Sequence, residues 1–254
     1  MKKINIFCFG FGQVAKNFIK KINTEKFSIN LSVTTREQSK AKQFNEIKYN
    51  NFIFNDEIFD NGLIENLKNS DHILISIPPI NGKDIVIKYF GEVIKECNPK
   101  WITYLSATSV YGDHKGEWVN EESETNPKST SGIGRLEAEK SWITFTANSK
   151  LPFQIFRLSG IYSNQKNILA RLKSGNVNLI NKKNQFFSRI HVEDIANVLF
   201  KSLSNFKTGE IYNISDDKPA SMEEVTLYGV KLLNVDIPKV IEVKDIDSEM
   251  LKSF

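Results

Sequence analysis

The sequence predicts an α/β protein built on a doubly wound parallel sheet, with a small substrate-side lobe contributed largely by its C-terminal part. Three observations carry this prediction. Short apolar runs alternate with amphipathic stretches of helical period, a glycine turn follows the first run, and the alternation is interrupted only after Gly160. Such alternation favours a parallel sheet with helices packed against it.

The predicted strands are short apolar runs rich in β-branched and aromatic residues. They are Ile4 to Phe9, Leu31 to Thr34, Phe52 to Phe54, His72 to Ile77, Trp101 to Leu105 and Phe153 to Leu158. Between most of them lie stretches with apolar residues three and four positions apart, which predict helices, among them Gln13 to Ile22 and Lys83 to Glu96. Strands and helices are therefore predicted to alternate along the first half of the chain.

The second half of the chain resumes this pattern after a segment rich in Asn, Lys and Gly. The predicted elements are a strand Ser188 to Val192, a helix from about Glu193 to Leu203, a strand Glu210 to Ile214, a helix Met222 to Leu233 and a strand Val240 to Val243. We therefore predict a core of residues 1–162 and 188–216 and a lobe of residues 163–187 and 217–254. Leu251 to Phe254 resembles an unfinished amphipathic element, which favours a native polypeptide longer than this sequence.

Composition indicates a soluble globular protein of the cytoplasm. The chain is 40% hydrophobic and 25% charged, and its formal net charge of +4 comes from scattered lysines, so we expect no nucleic-acid partner. No apolar run reaches transmembrane length, and no convincing cleavage site follows the first strand. Cys8 and Cys97 have no metal-binding spacing, and the histidines are dispersed, so we expect no metal site.

The first motif is a glycine turn, Gly10-Phe11-Gly12-Gln13-Val14-Ala15, that follows a strand and opens a helix. Its glycines allow a tight turn and a close approach of the backbone to a pyrophosphate, and the helix N-terminus presents free amides to the anion. The motif predicts dinucleotide binding by Gly10 to Val14. The alternative is a glycine turn with a structural role only.

The end of the second strand bears on the choice of cofactor. An NAD site would show an acidic residue there, but the chain has Thr34-Thr35-Arg36. A guanidinium beside Thr35 suits a 2′-phosphate, so NADP is favoured over NAD, unless Arg36 is an ordinary surface charge. Pro78-Pro79 follows the fourth strand and would shape the loop beside the cofactor, or form a rigid strand exit without a function.

Further motifs resemble those of the extended short-chain dehydrogenase/reductase superfamily, the NAD-dependent epimerase/dehydratase type that acts on nucleotide sugars. The segments that carry the resemblance are Leu105 to Gly112, Pro127, Leu136 with Glu139, Arg157 to Tyr162 and Arg189 to Ala196. The resemblance covers nearly the whole chain and implies a Rossmann-type fold, an NAD(P) cofactor and a small polar substrate, such as a nucleotide sugar.

The resemblance also implies where the catalytic residues stand. The family's active-site Ser or Thr corresponds to Ala107, which lies between Ser106 and Thr108. The family's catalytic Tyr corresponds to Ser131, and its Lys to Arg135. The chain therefore resembles the atypical members that keep the fold and the glycine loop but lack the Tyr-x-x-x-Lys pair.

The consequence for catalysis is large. The family's Tyr transfers a proton because a neighbouring Lys and the cofactor lower the pKa of its phenol from about 10. A Ser hydroxyl cannot be tuned that far, and Arg does not release its proton, although Arg135 could still hold the cofactor ribose. Without a substitute, the barrier rises by about 3 to 5 kcal/mol, because general acid–base catalysis contributes about 10²- to 10⁴-fold.

Three side chains are candidates to replace the missing acid: Tyr111 near the nicotinamide position, Tyr162 after the sixth strand, and His191 in the segment that lines the substrate pocket. A packing or hydrogen-bonding role is the alternative for each. Arg189 would contact a diphosphate or carboxylate of the substrate, whereas Arg157 is expected to pair at the edge of the core.

Two functions stay open at this point: an oxidoreductase or epimerase-like enzyme with a non-standard acid, and an inactive NAD(P)-binding sensor. The resemblance leaves the oligomeric state as monomer or homodimer, because the helix from Arg135 to about Thr146 is where the family often dimerises. Trp142, Ile143 and Phe145 would face either a partner or the core.

Overall fold

The computed structural model describes residues 3–37, 43–180 and 185–241. Eight strands form the main sheet, in the order β11-β7-β6-β5-β1-β2-β4-β3. They are β1 (Lys3–Phe9), β2 (Ser28–Thr35), β3 (Gln43–Phe44), β4 (Ile47–Ile53), β5 (His72–Ile75), β6 (Trp101–Ala107), β7 (Phe153–Leu158) and β11 (Ile211–Ile214). All neighbouring pairs are parallel except β3 and β4. The predicted Rossmann-type α/β fold is therefore confirmed.

Seven helices are described, and those of the core cover both faces of the sheet. They are α1 (Gln13–Thr24), α2 (Gly62–Lys68), α3 (Ile85–Cys97), α4 (Thr130–Ser149), α5 (Ile168–Lys173), α6 (Val192–Ser202) and α7 (Met222–Leu233). One apolar cluster joins α1 and α6 to the sheet, and a second joins α2, α3 and α4 to the opposite face. The alternation along β1 explains the two clusters, since Ile6 and Cys8 belong to the first and Phe7 and Phe9 to the second.

The strand order reverses between β1 and β5, which are neighbours in the sheet although three strands separate them in the chain. In open α/β sheets ligands bind beyond the carboxyl ends of the strands at such a switch point. The loops after β1, β2 and β5 therefore meet where the sequence predicts the cofactor.

Parallel strands are usually joined by a crossover that contains a helix, but the described part of the connection between β2 and β4 contains none. That part holds the short strand β3, which forms a hairpin with β4 through Asn45 and Glu46, both at positive φ. Aromatic side chains of this hairpin, Phe44 and Tyr49, pack against the α1-side cluster. Strand β4 is consequently longer than the predicted Phe52 to Phe54.

The remaining elements lie beside the carboxyl ends of β7 and β11. Strand β8 (Gly160–Tyr162) pairs with β10 (Arg189–His191), and β9 (Leu179–Ile180) pairs with β12 (Val240–Ile241). Helices α5 and α7 touch at Gly229, where an added Cβ would lie 2.7 Å from Leu172 Cδ1. Met1, Lys2 and residues 242–254, including the last two of the predicted strand Val240 to Val243 and the segment Leu251 to Phe254, lie outside the described residues. The core and lobe boundaries stay a prediction.

Within the described part of the chain, no helix is long and apolar enough to cross a membrane.

Candidate functional site

The glycine loop is built around Gly10. This residue has φ +91°, and an added Cβ would lie 2.7 Å from Ile77 Cγ2 and 2.9 Å from Ser76 Oγ. Its N–H donates to Thr34 Oγ1 at 2.8 Å, and the Ser76 hydroxyl lies 3.0 Å from the carbonyl oxygens of both Phe9 and Gly10. Only glycine fits this turn, which ties the ends of β1, β2 and β5 together.

Gly12 has a different role, because an added Cβ would meet no atom within 4 Å. It is the N-cap residue of α1, with φ −80°, and no side chain caps the helix. No acidic residue stands in the first turn, which contains Gln13, Val14 and Ala15. An uncapped helix start beside open space is the arrangement that accepts a pyrophosphate, so the loop fits a dinucleotide.

The end of β2 is anchored around Thr35. Its Oγ1 donates to Glu37 O at 2.7 Å and lies 3.0 Å from Asn51 Nδ2 of β4. Arg36, at the tip of this turn, is exposed. No acidic side chain precedes Arg36 at the end of the strand, where a Rossmann site that selects NAD carries one.

Pro78 and Pro79 lead from β5 into a tight hairpin turn. Ile80 and Lys83 exchange two backbone hydrogen bonds of 2.9 Å, with Asn81 and Gly82 at positive φ between them. An added Cβ on Gly134 would lie 3.3 Å from Gly82 Cα and 3.7 Å from Pro79 Cγ. The hairpin therefore packs on the start of α4, and Gly134 is what allows it to do so.

The carboxyl end of β6 brings two predicted site residues, Ser106 and Thr108, to the switch-point edge, with Ala107 between them. Ser106 is buried, and its Oγ has no hydrogen-bond partner among the described residues. Ala107 ends the strand, and Thr108 opens a one-turn 3-10 helix (Thr108–Val110). Thr108 lines the large cleft described below, whereas Ser106 does not.

Helix α4 presents the two positions that the resemblance assigns to the catalytic pair. Ser131 is exposed, and its hydroxyl lies 3.4 Å from Ser129 Oγ, the N-cap that accepts from Gly132 N at 3.1 Å. Arg135 donates from Nη1 to Leu105 O at 2.6 Å. Ser131 therefore has no described proton acceptor stronger than a hydroxyl beside it, and the guanidinium of Arg135 fastens α4 to β6.

The Tyr111 phenol belongs to a buried network. Tyr111 is 2% exposed; its hydroxyl donates to Asn213 Oδ1 at 2.7 Å and accepts from Arg157 Nη1 at 2.9 Å. Arg157 pairs with Glu139 of α4, Nη2 to Oε2 at 2.8 Å, and the two residues are 4% and 1% exposed. Burial opposes the charge on Arg157, but its hydrogen bonds to Glu139 and Tyr111 raise its pKa. Both hydrogen-bonding roles of the phenol are therefore taken.

A cleft of about 2230 Å³ opens between the carboxyl ends of the strands and helices α5 and α7. Tyr162, Arg189 and His191 all line it. Since β8 and β10 are parallel and pair Tyr162 with His191, the two rings lie side by side with centroids 5.1 Å apart. The structure thus brings together the three residues predicted to face the substrate.

Hydrogen bonds orient the three side chains in different ways. The Tyr162 hydroxyl donates to Asp216 Oδ2 at 3.0 Å, and burial together with Asp216 raises its pKa. His191 caps α6, because its Nδ1 accepts from Glu193 N at 3.4 Å. Arg189 Nη1 donates to the carbonyls of Phe187 and Ala220 at 2.9 Å each, and burial lowers its pKa. His191 Nδ1 also lies 3.9 Å from Glu193 Oε2, so both contacts of the ring nitrogen are with the start of α6.

The sequence analysis missed three contributors to the site. Asp216, which binds Tyr162, follows β11 in a run of polar residues, and an acidic residue just after a strand was an available signal. Asn213, which binds Tyr111, comes from β11, far away in the chain, and no local pattern marks it. Trp118 lines the cleft and is 79% exposed, and a Trp within a polar loop was also a signal.

Trp142, Ile143 and Phe145 of α4 were expected to face either a partner or the core. Trp142 is fully buried against α3 and the sheet, Phe145 packs beside it, and Ile143 is 43% exposed.

In residues 3–37, 43–180 and 185–241, no group of three or more His, Cys, Asp or Glu side chains is arranged to hold a metal ion.

Comparison with protein families matches residues 89–215, half of the chain, to the model of the NAD dependent epimerase/dehydratase family. The chain belongs to the NAD dependent epimerase/dehydratase family. The matched part of this family member runs from α3 to the residue after β11 and contains Ser131, Arg135, Tyr162 and His191. A comparison with curated proteins finds no match.

Solved structures are similar to this family member over nearly its whole length. A functionally unknown conserved protein from Silicibacter pomeroyi is 30% identical, with a TM-score of 0.85 over 98% of this chain and 86% of that chain. The UDP-N-acetylglucosamine 4-epimerase from Bacillus cereus is 18% identical, with a TM-score of 0.73 and coverage of 99% and 90%. MoeE5 in complex with UDP-glucose and NAD is 16% identical, with a TM-score of 0.74 and coverage of 96% and 87%. At 16 to 18% identity the last two show the shared fold alone.

Proposed function

We propose that this chain binds NADP at the glycine loop and acts as an oxidoreductase or epimerase-like enzyme on a nucleotide sugar or a related phosphate-bearing molecule. The observation that carries the proposal is the open approach at Gly12 beside the uncapped start of α1. When bound, the nicotinamide cofactor would supply hydride transfer. The residues of the chain would hold the pyrophosphate, orient the substrate and move a proton.

The choice of NADP is supported by the end of β2. Arg36 directly follows the strand end where NAD-selective sites carry a carboxylate, and Thr35 and Asn51 fix the turn behind it. A guanidinium can hold a phosphate through two parallel N–H···O bonds. The 2′-phosphate of NADP would therefore add binding free energy that NAD lacks.

The substrate class is supported by the polar groups of the cleft. Arg189 lines the cleft and donates two hydrogen bonds from Nη1 to backbone carbonyls, and Lys166, Arg171 and Lys218 line the same cleft. These cations would balance the diphosphate of a nucleotide sugar, and MoeE5, which shares the fold, is found with UDP-glucose and NAD.

The proton would be moved by His191 rather than by Ser131 or Tyr111. Ser131 has a hydroxyl neighbour only, and the Tyr111 phenol is buried with both of its hydrogen-bonding roles taken. The Tyr162 hydroxyl donates its proton to Asp216, so this O–H is engaged within the protein. His191 lines the cleft with its Nδ1 committed to α6, so that Nε2 can donate to a substrate oxygen.

The first prediction concerns Arg36. Calorimetric titration of the purified protein is expected to show tighter binding of NADPH than of NADH, and Arg36→Ala is expected to weaken NADPH binding by about ten- to a hundredfold, the range of one charged hydrogen-bonded pair. NADH binding should change less than about twofold, since NADH lacks the 2′-phosphate. Lys48→Ala, at another exposed cation on β4, is the control. Failure of both cofactors to bind the wild-type chain would refute the proposed function.

The second prediction separates enzyme from sensor. The chain, loaded with NADP or NADPH, is incubated with a panel of UDP- and dTDP-sugars and followed by absorbance at the nicotinamide wavelength and by proton NMR of the sugars. His191→Asn, which keeps an N-cap for α6, is expected to reduce turnover by about 10²- to 10⁴-fold with unchanged cofactor affinity. Full activity of this variant would exclude His191 as the proton donor.

A second candidate function is an NAD(P)-binding sensor without catalysis. The observation that favours it is the use of Arg135 to fasten α4 to Leu105 O, together with the absence of a described acid or base beside Ser131. Cofactor binding with no turnover of any sugar in the panel would support the sensor.

A further inference from the structure

Trp118 differs from the other tryptophans of the chain in its exposure. Trp101 and Trp142 are buried, whereas Trp118 is 79% exposed and lines the cleft. The other two strongly exposed aromatic side chains of the described residues are Phe186, at 53%, and Tyr228, at 65%, and both line the same cleft. A single exposed apolar side chain needs no explanation, but the concentration of exposed aromatic rings along one cleft indicates a binding surface.

The loop that carries Trp118, residues 111–126, is named here the tryptophan loop. Asn126 N donates to Tyr111 O at 3.1 Å and closes the loop at its base. Beyond Trp118, Glu121 Oε1 accepts from Asn213 N of β11 at 2.6 Å, which fastens the loop to the sheet. Trp118 therefore loses little conformational freedom when it binds a ligand, because its loop is already tied and its side chain has few rotatable bonds.

The charges that line the cleft differ from one segment to another. The tryptophan loop contains five carboxylates and one lysine, and two of its acidic residues, Asp113 and Glu117, line the cleft. Basic lining residues come from other segments, among them Lys166 before α5 and Arg171 within it. An anionic part of a ligand is therefore favoured near the cations and disfavoured at the tryptophan loop, which leaves an uncharged group for Trp118.

We propose that Trp118 stacks on an uncharged planar ring of the substrate and thereby selects substrates that carry such a ring. The inference deepens the proposed function and rests on it in one respect, because it takes the cleft to be the substrate site. The ring is either a nucleobase or an aromatic carbon ring, since both present a π-face that an indole can stack on. The anionic part of the same molecule lies among the cations of the cleft.

The first measurement uses the fluorescence of Trp118 in the full chain. Acrylamide quenches exposed tryptophans, so the quenchable emission should come from Trp118 and be lost in Trp118→Phe, because Trp101 and Trp142 are buried. Saturating UDP or phenyl phosphate is expected to lower the quenching constant severalfold. Ribose 5-phosphate, which has no planar ring, should leave it unchanged. Protection by either ring-bearing probe supports the stacking site, and the more effective probe shows which kind of ring it accepts.

The second measurement is calorimetric titration with the protecting probe and, separately, with NADPH. Trp118→Ala is expected to raise the Kd for the probe about ten- to a hundredfold, the range for the loss of one stacked aromatic side chain, and to leave the Kd for NADPH unchanged. Trp118→Tyr should retain most of the affinity for the probe, because it keeps an aromatic ring. Ile58→Ala removes an exposed apolar side chain that does not line the cleft and should change neither affinity.

The outcomes separate this inference from the proposed function. If neither ring-bearing probe protects Trp118, or if Trp118→Ala leaves the affinity for the probe unchanged, the stacking site is overturned, whereas NADPH binding by the same chain would still support the proposed function. Protection of Trp118 in a chain that binds no dinucleotide would refute the proposed function and retain the ring site. Protection that rises with protein concentration in the absence of any probe would assign Trp118 to a contact between two copies of the chain and overturn the inference.

Discussion

Arg157→Met is expected to lower the free energy of unfolding by about 3–5 kcal/mol, the usual cost of removing one partner of a buried ion pair. The substitution leaves the carboxylate of Glu139 uncompensated at 1% exposure, and it takes away the donor that binds the Tyr111 hydroxyl. It also disconnects α4 from β7, because Arg157 and Glu139 join these two elements. Urea denaturation of the purified variant measures the change.

The expected loss of stability is large because the ion pair is buried. A comparison with an exposed ion pair tests this dependence on burial. Lys100→Ala breaks the pair with Asp71, where the lysine side chain is 73% exposed, and should cost less than about 1 kcal/mol. Glu139→Leu combined with Arg157→Met replaces both charges by apolar groups and should recover part of the stability lost in Arg157→Met. A loss in Arg157→Met no larger than that in Lys100→Ala would contradict a structural role for the network.

The partners of Arg157 also show which contacts of the site could be predicted from the sequence. Pairing of Arg157 at the edge of the core was expected, but its partners lie on four other segments. They are Glu139 on α4, Tyr111 after β6, the carbonyl of Glu121 and, through Tyr111, Asn213 on β11. Periodicity and motif spacing report contacts within one segment. The phenol of Tyr111 was therefore a reasonable catalytic candidate until the fold placed an arginine and an amide on it.

The glycine loop was predictable because the pattern that marks it is local in sequence, although its hydrogen bonds to Thr34 and Ser76 are not. A strand, two glycines and an amphipathic helix follow one another directly, and each constrains the next. The hairpin of β3 and β4 was not predictable. In β4, Ile47 and Tyr49 alternate with Lys48 and Asn50, so that only one face of the strand is covered. That short alternating pattern is weak beside the continuous apolar runs of the central strands.

The largest effect on binding is expected from Gly12→Ala. An added methyl meets no protein atom within 4 Å and the backbone, at φ −80°, accepts alanine, so the free energy of unfolding should change by less than about 1 kcal/mol. The same methyl would occupy the space through which a pyrophosphate approaches the amides of α1. We expect the Kd for NADPH to rise at least about a hundredfold, equivalent to about 2.7 kcal/mol.

Gly10→Ala supplies the contrast, because its methyl meets protein rather than open space. At φ +91° and 2.7 Å from Ile77 Cγ2, alanine should lower the free energy of unfolding by about 2–4 kcal/mol. Thermal unfolding without cofactor measures the stability of each variant, and calorimetric titration with NADPH measures its affinity. Gly10→Ala is expected to lose stability, and Gly12→Ala is expected to lose affinity. Unchanged affinity in a stable Gly12→Ala protein would mean that the loop does not receive the pyrophosphate, and the proposed function would then lack the observation that carries it.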